Sequence, residues 1–201
     1  MAVALWLSRT ELFYVENTPE AFPLKQLMIM DQDVSISPPD CFHVSSAQGW
    51  LGLNNAEEAA IELEKIHPDY RCFPEIVEIE WQIEAKRKRW ENCLKLANHL
   101  TALVPNQAQG WIHLAFTLHE MQETQRAWDV LLLKVDIFPK EWIIRYNLAC
   151  YAAKLGKAEE AKEWLDCACL FGSEREILGM ALEDPDLKSI WPSIRKPPRR
   201  S

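Results

Sequence analysis

From Asp40 onward apolar residues recur three to four positions apart, and the pattern breaks at regular places. It predicts helices over about 40–53, 56–67, 74–87, 90–102, 107–121, 124–137, 141–154 and 158–171. Turn chemistry marks the breaks: Asn55 with Glu58 is an N-cap pattern, Pro68, Pro74, Pro105 and Pro139 fall between hairpins, and Gly156 ends the seventh helix. Alternating β-branched runs of strand type are missing, so the expected class is all-α. Residues 1–38 have no sustained period and are punctuated by Pro19, Pro23 and Pro38, so they read as a partly irregular N-terminal extension. Its apolar patch LMIM, Leu27–Met30, can pack on a neighbour or surround a later start at Met28 or Met30.

The helical pattern repeats. Ala59, Cys93, Ala127 and Ala161 stand 34 residues apart, each opening the second helix of a hairpin. Ala47, Trp81, Ala115 and Ala149 form the matching first-helix column, and Leu63, Ala97, Leu131 and Leu165 form an apolar third. Two mostly small columns and one apolar column in register imply a close helix–helix approach made four times. The boundaries are 40–73, 74–107, 108–141 and 142–175. After them, Ser173-x-x-Glu176 reads as a capping box opening a helix over about 174–182, within a C-terminal capping element at 176–194. Asp184-Pro185-Asp186 begins a further turn whose Ile190, Trp191 and Ile194 can pack back. The basic run 195–201 is expected to be a disordered tail.

On these residues the chain resembles the tetratricopeptide repeat, with its pattern W-x₂-L-G-x₂-Y, A-x₃-F-x₂-A and a final proline. The third unit matches at Trp111, Leu114, Ala115, Ala127, Leu131 and Pro139; the fourth at Leu148, Ala149, Gly156, Ala161, Leu165 and Ala168. The first matches at Ala47, Trp50, Ala59, Leu63 and Ile66, while the second departs most, with Glu80, Trp81 and Glu84 at usually apolar or small positions. The order YNLACYAAKLG…EEA…WL is also similar to small bacterial tetratricopeptide proteins of undefined activity. The resemblance covers about residues 40–175 and implies a right-handed α-solenoid whose first helices line a concave wall. It further implies a protein–protein interaction scaffold, with a structural subunit using its convex or edge surface as the alternative.

Composition narrows the function classes. The 22 basic against 30 acidic residues give a net charge of −8, which disfavours general nucleic-acid binding. Six cysteines show no C-x-x-C pair and no disulfide-framework spacing, as in a reducing compartment. Ala2–Leu7 is too short for a signal-peptide core, and no stretch approaches the ~20 apolar residues of a membrane span. The expectation is a cytoplasmic protein without a membrane partner. Phosphate loops, dinucleotide fingerprints and the G-x-S-x-G and H-E-x-x-H motifs do not occur, so no catalytic role, cofactor or metal is expected.

By the resemblance, a peptide groove is lined by Gln82, Gln109, Ile112, His113, Phe116, His119, Tyr146, Asn147, Cys150 and Lys154. Glu75, Glu78 and Gln48 share that wall. Aromatic and amide groups in a concavity suit a peptide, because rings bury much area with few rotors to freeze; equally, Phe116 and Tyr146 can simply pack on neighbouring helices. The carboxylate clamp by which some tetratricopeptide domains hold chaperone tails is absent, since its positions hold Val44, Gln48, Ile79, Gln109 and His113, or, one unit later, Glu78, Gln82, His113, Ile143 and Asn147. Self-association through the ends of the stack is open. His113 and His119, six apart, do not share one helix face and read as ordinary surface or groove histidines. Glu84 reads as a carboxylate reaching solvent beside Lys88 in a distorted repeat, with a half-buried carboxylate as the alternative. The run Lys86–Arg89 reads as a solvated turn favouring the negative end of the preceding helix.

Overall fold

In a computed structural model, which describes residues 36–194, the periodicity becomes helix throughout: no strand occurs among the described residues. The helices of the described residues belong to one compact unit that begins at Pro39. They are α1 (Asp40–Gly52), α2 (Ala56–Glu64), α3 (Pro74–Lys86), α4 (Trp90–Leu103), α5 (Ala108–Glu120), α6 (Thr124–Leu132), α7 (Trp142–Lys154), α8 (Ala158–Phe171) and α9 (Glu174–Glu183). Short 3-10 helices occupy Pro68–Tyr70 and Pro185–Ser193. The expectations for residues 1–35 and 195–201 lie outside the described residues.

Consecutive helices pack on one another as four hairpins, α1–α2, α3–α4, α5–α6 and α7–α8. The three columns explain why. Ala59, Cys93, Ala127 and Ala161 are wholly buried, as are Ala47, Ala115 and Ala149, and Leu63, Ala97, Leu131 and Leu165 are buried behind them. A methyl or thiol at these points lets two helix backbones approach, and the next apolar side chain fills the space above.

Each hairpin turns through the same backbone device. Asn54, Lys88, Gln122 and Gly156 have φ of 59°, 56°, 67° and 79° and stand 34 apart. In α7 the Lys157 N–H donates to Ala152 O at 2.9 Å and the Gly156 N–H to Ala153 O at 3.1 Å, the Schellman pairing. The same two bonds close α1 at Asn54 and Asn55, α3 at Lys88 and Arg89, and α5 at Gln122 and Glu123. Asn55 then starts α2 by accepting the Glu58 N–H at 3.2 Å.

Three expectations need correction. Helix α2 stops at Glu64, not 67, because Pro68 forces His67 into extended backbone, with ψ of 138°. Helix α6 stops at Leu132, not 137, and continues as tight turns to Phe138, where the Lys134 ammonium lies 3.5 Å over the Trp111 ring. Ser173 stands at the N-cap of α9, yet its side chain makes no capping bond, so the capping box is not formed.

The last hairpin is closed by α9 and the turn that follows. Leu187 and Ile190 are buried against α7 and α8, and the Trp191 indole N–H donates to Ala181 O at 2.8 Å.

Candidate functional site

Trp81 decides the geometry of the first-helix row. Its column otherwise carries alanine, and α1 with α3, and α5 with α7, approach closely along their backbones. Between α3 and α5 the indole takes the space instead. It stacks on the His113 ring with centroids 3.7 Å apart and 18° between planes, and its N–H donates to Thr117 Oγ1 at 3.1 Å. Thr117 in turn donates to His113 O at 2.8 Å, one turn back in α5. Phe116 lies edge-on to both Trp81 and Trp90 at 6.1 Å and remains 36% exposed.

Beside this stack, where α3 and α5 begin, opens a cavity of about 350 Å3. Phe73, Leu100 and Val104 supply apolar lining, and Glu75, Glu78 and Gln109 supply polar groups. Gln109 Nε2 lies 3.2 Å from His113 Nε2, which stands 3.7 Å from Glu78 Oε1. Gln82 donates to the same Glu78 oxygen at 3.4 Å, and Gln48 of α1 donates to Glu75 at 3.3 Å. Gly110 is held where α5 crosses α4, since a Cβ there would stand 3.1 Å from Leu100 Cβ and from the Thr101 nitrogen.

The other half of the expected groove meets the chain's own C-terminal turn. Tyr146 donates its hydroxyl proton to Asp184 Oδ2 at 2.9 Å, and the Cys150 thiol points to the same oxygen at 3.5 Å. Asp184 Oδ1 accepts the Asp186 N–H at 3.0 Å and starts the 3-10 turn. Asp186 then pairs with His119 Nε2 at 2.9 Å and Lys154 Nζ at 3.3 Å. His119 Nδ1 faces Thr124 Oγ1 at 3.0 Å, so this ring is fully engaged. Burial, reinforced by the Asp184 carboxylate, pushes the Cys150 thiol well above its ordinary range. Burial thus favours the neutral thiol.

The ten expected groove residues therefore separate. Gln82, Gln109, His113 and Phe116 come together around the α3–α5 stack, although His113 is buried beneath Trp81. His119, Tyr146, Cys150 and Lys154 engage Asp184 and Asp186 instead. Ile112 is buried among core residues, and Asn147 is half-buried. Of the surface or groove positions expected for the two histidines, the exposed surface one is corrected: both rings are buried and bonded. Sequence reasoning missed the role of Asp184 and Asp186, whose partners lie between 32 and 67 positions away.

Glu84 is a second correction. It is 8% exposed and does not turn to Lys88; it accepts from Asn92 at 2.6 Å, Arg87 at 3.3 Å and Arg89 at 3.4 Å. Arg87 also donates to Glu57 of α2 at 2.6 Å, and this bond holds the Glu57 carboxyl below its ordinary range. Lys86 reaches back to Asn54 at 2.7 Å. The basic run therefore ties the second hairpin to the first rather than lying free in solvent. Lys88 alone stays outside these bonds, because its positive φ turns it out of the helix.

Among the described residues no group of three or more His, Cys, Asp or Glu side chains could hold a metal ion. No described helix is long and apolar enough to cross a membrane. No protein-family model matches the chain, and no curated protein matches it.

Proposed function

We propose that the chain is a non-catalytic interaction scaffold of the tetratricopeptide type, a right-handed solenoid that holds a protein or peptide segment along its first helices. The observation that carries this reading is the first-helix surface at α3 and α5, where Phe116 and Gln109 are exposed and Gln82 is half-buried, and where Gln109 also lines the cavity at the helix starts. An exposed ring with adjacent amides offers apolar area and backbone-directed hydrogen bonds together, the combination an extended segment needs. The Asp184–Asp186 turn fills the α7 end, so the proposed binding stretch is shorter than the full row and centres on α3 and α5. The cysteines among the described residues are all free, in keeping with a reducing, cytoplasmic setting.

A second reading, a stabilising subunit of a larger assembly, is favoured by an apolar edge. Leu133, Ile137, Leu170 and Phe171 are exposed after α6 and at the end of α8, Leu170 at 79%. Ile137 and Phe171 are 34 apart and so occupy one register position in neighbouring units.

Affinity capture from the native host distinguishes the two. A folded Gln82→Ala/Phe116→Ala variant is expected to lose the partners that wild type retains, while Ile137→Glu/Leu170→Glu keeps them. The reverse pattern overturns the first-helix reading in favour of the edge. Tyr146 is unsuitable for this test, because removing its hydroxyl would release Asp184.

A further inference from the structure

We propose that the cavity between the starts of α3 and α5 seats a cationic side chain, lysine or arginine, of the bound segment. This rests on the first-helix face being the binding face and adds the chemistry of what it takes.

The cavity combines two surfaces that such a side chain needs. Phe73, Leu100 and Val104 offer apolar wall for a methylene stem, and Glu75 and Glu78 offer carboxylates for its head. The two glutamates are three apart on α3 and so project on the same side of that helix. At about 350 Å3 the space lies at the small end of ordinary ligand pockets, ~300–1,000 Å3, suited to one side chain rather than a whole cofactor.

Charge around the cavity points the same way. Among the described residues neither Glu75 nor Glu78 is ion-paired to a lysine or arginine; the one ionic neighbour is His113, 3.7 Å from Glu78. Two cationic candidates of the first-helix row, His119 and Lys154, are already taken by Asp186. Lys86 stands eleven residues beyond Glu75 on α3, roughly 16 Å along the axis at 1.5 Å per residue, and bonds Asn54. The C-terminal turn thus absorbs positive charge at the α7 end, and the open part of the row is left acidic. Gln48 and Gln82 donate to these carboxylates and hold them in place without neutralising them. An incoming ammonium or guanidinium completes the pairing with charge-assisted bonds, and a guanidinium can meet both glutamates.

The test uses the full chain and a displayed library of random dodecapeptides. Selected peptides are expected to be enriched in arginine or lysine, and to bind roughly tenfold more weakly to Glu75→Gln/Glu78→Gln, a loss of about 1.4 kcal/mol. Replacing the critical arginine by citrulline should cost as much. Glu159→Gln/Glu163→Gln, on exposed positions of α8, serves as the control for bulk charge. Thermal melts establish that each variant is folded. Peptides that bind without basic enrichment, or that weaken equally on the α8 control, overturn the cation seat while leaving the first-helix face in place. A library that yields no binder overturns both.

Discussion

Asn54, Lys88, Gln122 and Gly156 share one left-handed turn, but only glycine occupies it without strain. An L-residue in this region loses roughly 1–2 kcal/mol to the clash of Cβ with the backbone, and asparagine loses least. Lys88 and Gln122 have exposed side chains, and Lys88 makes none of the bonds that tie its neighbours to the first hairpin. Lys88→Gly and Gln122→Gly are therefore expected to stabilise the chain by about 0.5–1 kcal/mol each, the greater freedom of unfolded glycine offsetting part of the gain. Gly156→Ala should destabilise it by a similar amount. Urea titration of the three variants checks the sign, which is opposite for the two kinds of substitution.

Helix contacts depend on the buried columns. Ala149 and Ala161 are wholly buried where α7 meets α8, the helix pair with the most extensive contact among the described residues. Ala161→Leu or Ala149→Leu forces the helices apart and is expected to cost ~1–3 kcal/mol, read as a lower urea midpoint. Trp81 shows what a large residue in the same column requires: a stacked histidine, a threonine acceptor and a gap between first helices. A leucine side chain in place of either alanine would have no such accommodation ready. Unchanged midpoints would mean that the two columns do not face each other.

Taken as one molecule, the protein holds several acidic groups neutral by burial. The Cys93 thiol is pushed up to about 11 by burial, with the Glu84 charge adding to it, and Cys150, Tyr146 and Tyr151 are raised as well, again chiefly by burial. The unfolded chain ionises such thiols near 8.5 and phenols near 10. Each group stays protonated in the fold, so its stabilising effect is complete below the unfolded value and is lost as pH rises towards the folded one. Stability is expected to be flat from these groups up to about pH 8 and to fall above it. Cys93→Ala, which keeps a small buried residue, should flatten the onset of that fall between about pH 8.5 and the Cys93 value of about 11. A denaturation series across pH measures it. An identical slope in the variant would remove Cys93 from the account.

The helices, their hairpin pairing and the 34-residue columns were legible in the chain, because helix periodicity, caps and close contacts are written in residues at most one repeat apart. Asn55, Gly156, Ala161 and Leu165 each announce their role locally. The alternatives at Glu84, His113 and His119 could be settled only by partners arriving from other helices. Glu84 meets Asn92, His113 lies under Trp81, and His119 finds Asp186, which is 67 positions away. Whether a first-helix residue faces an open cavity or the chain's own C-terminal turn depends on where a distant segment returns. That return follows the burial of Leu187 and Ile190, which covers the apolar end of the last hairpin and carries Asp184 and Asp186 onto α7 with it. Local patterning sets which surfaces are apolar; which of them remain uncovered is settled when the whole chain closes its core.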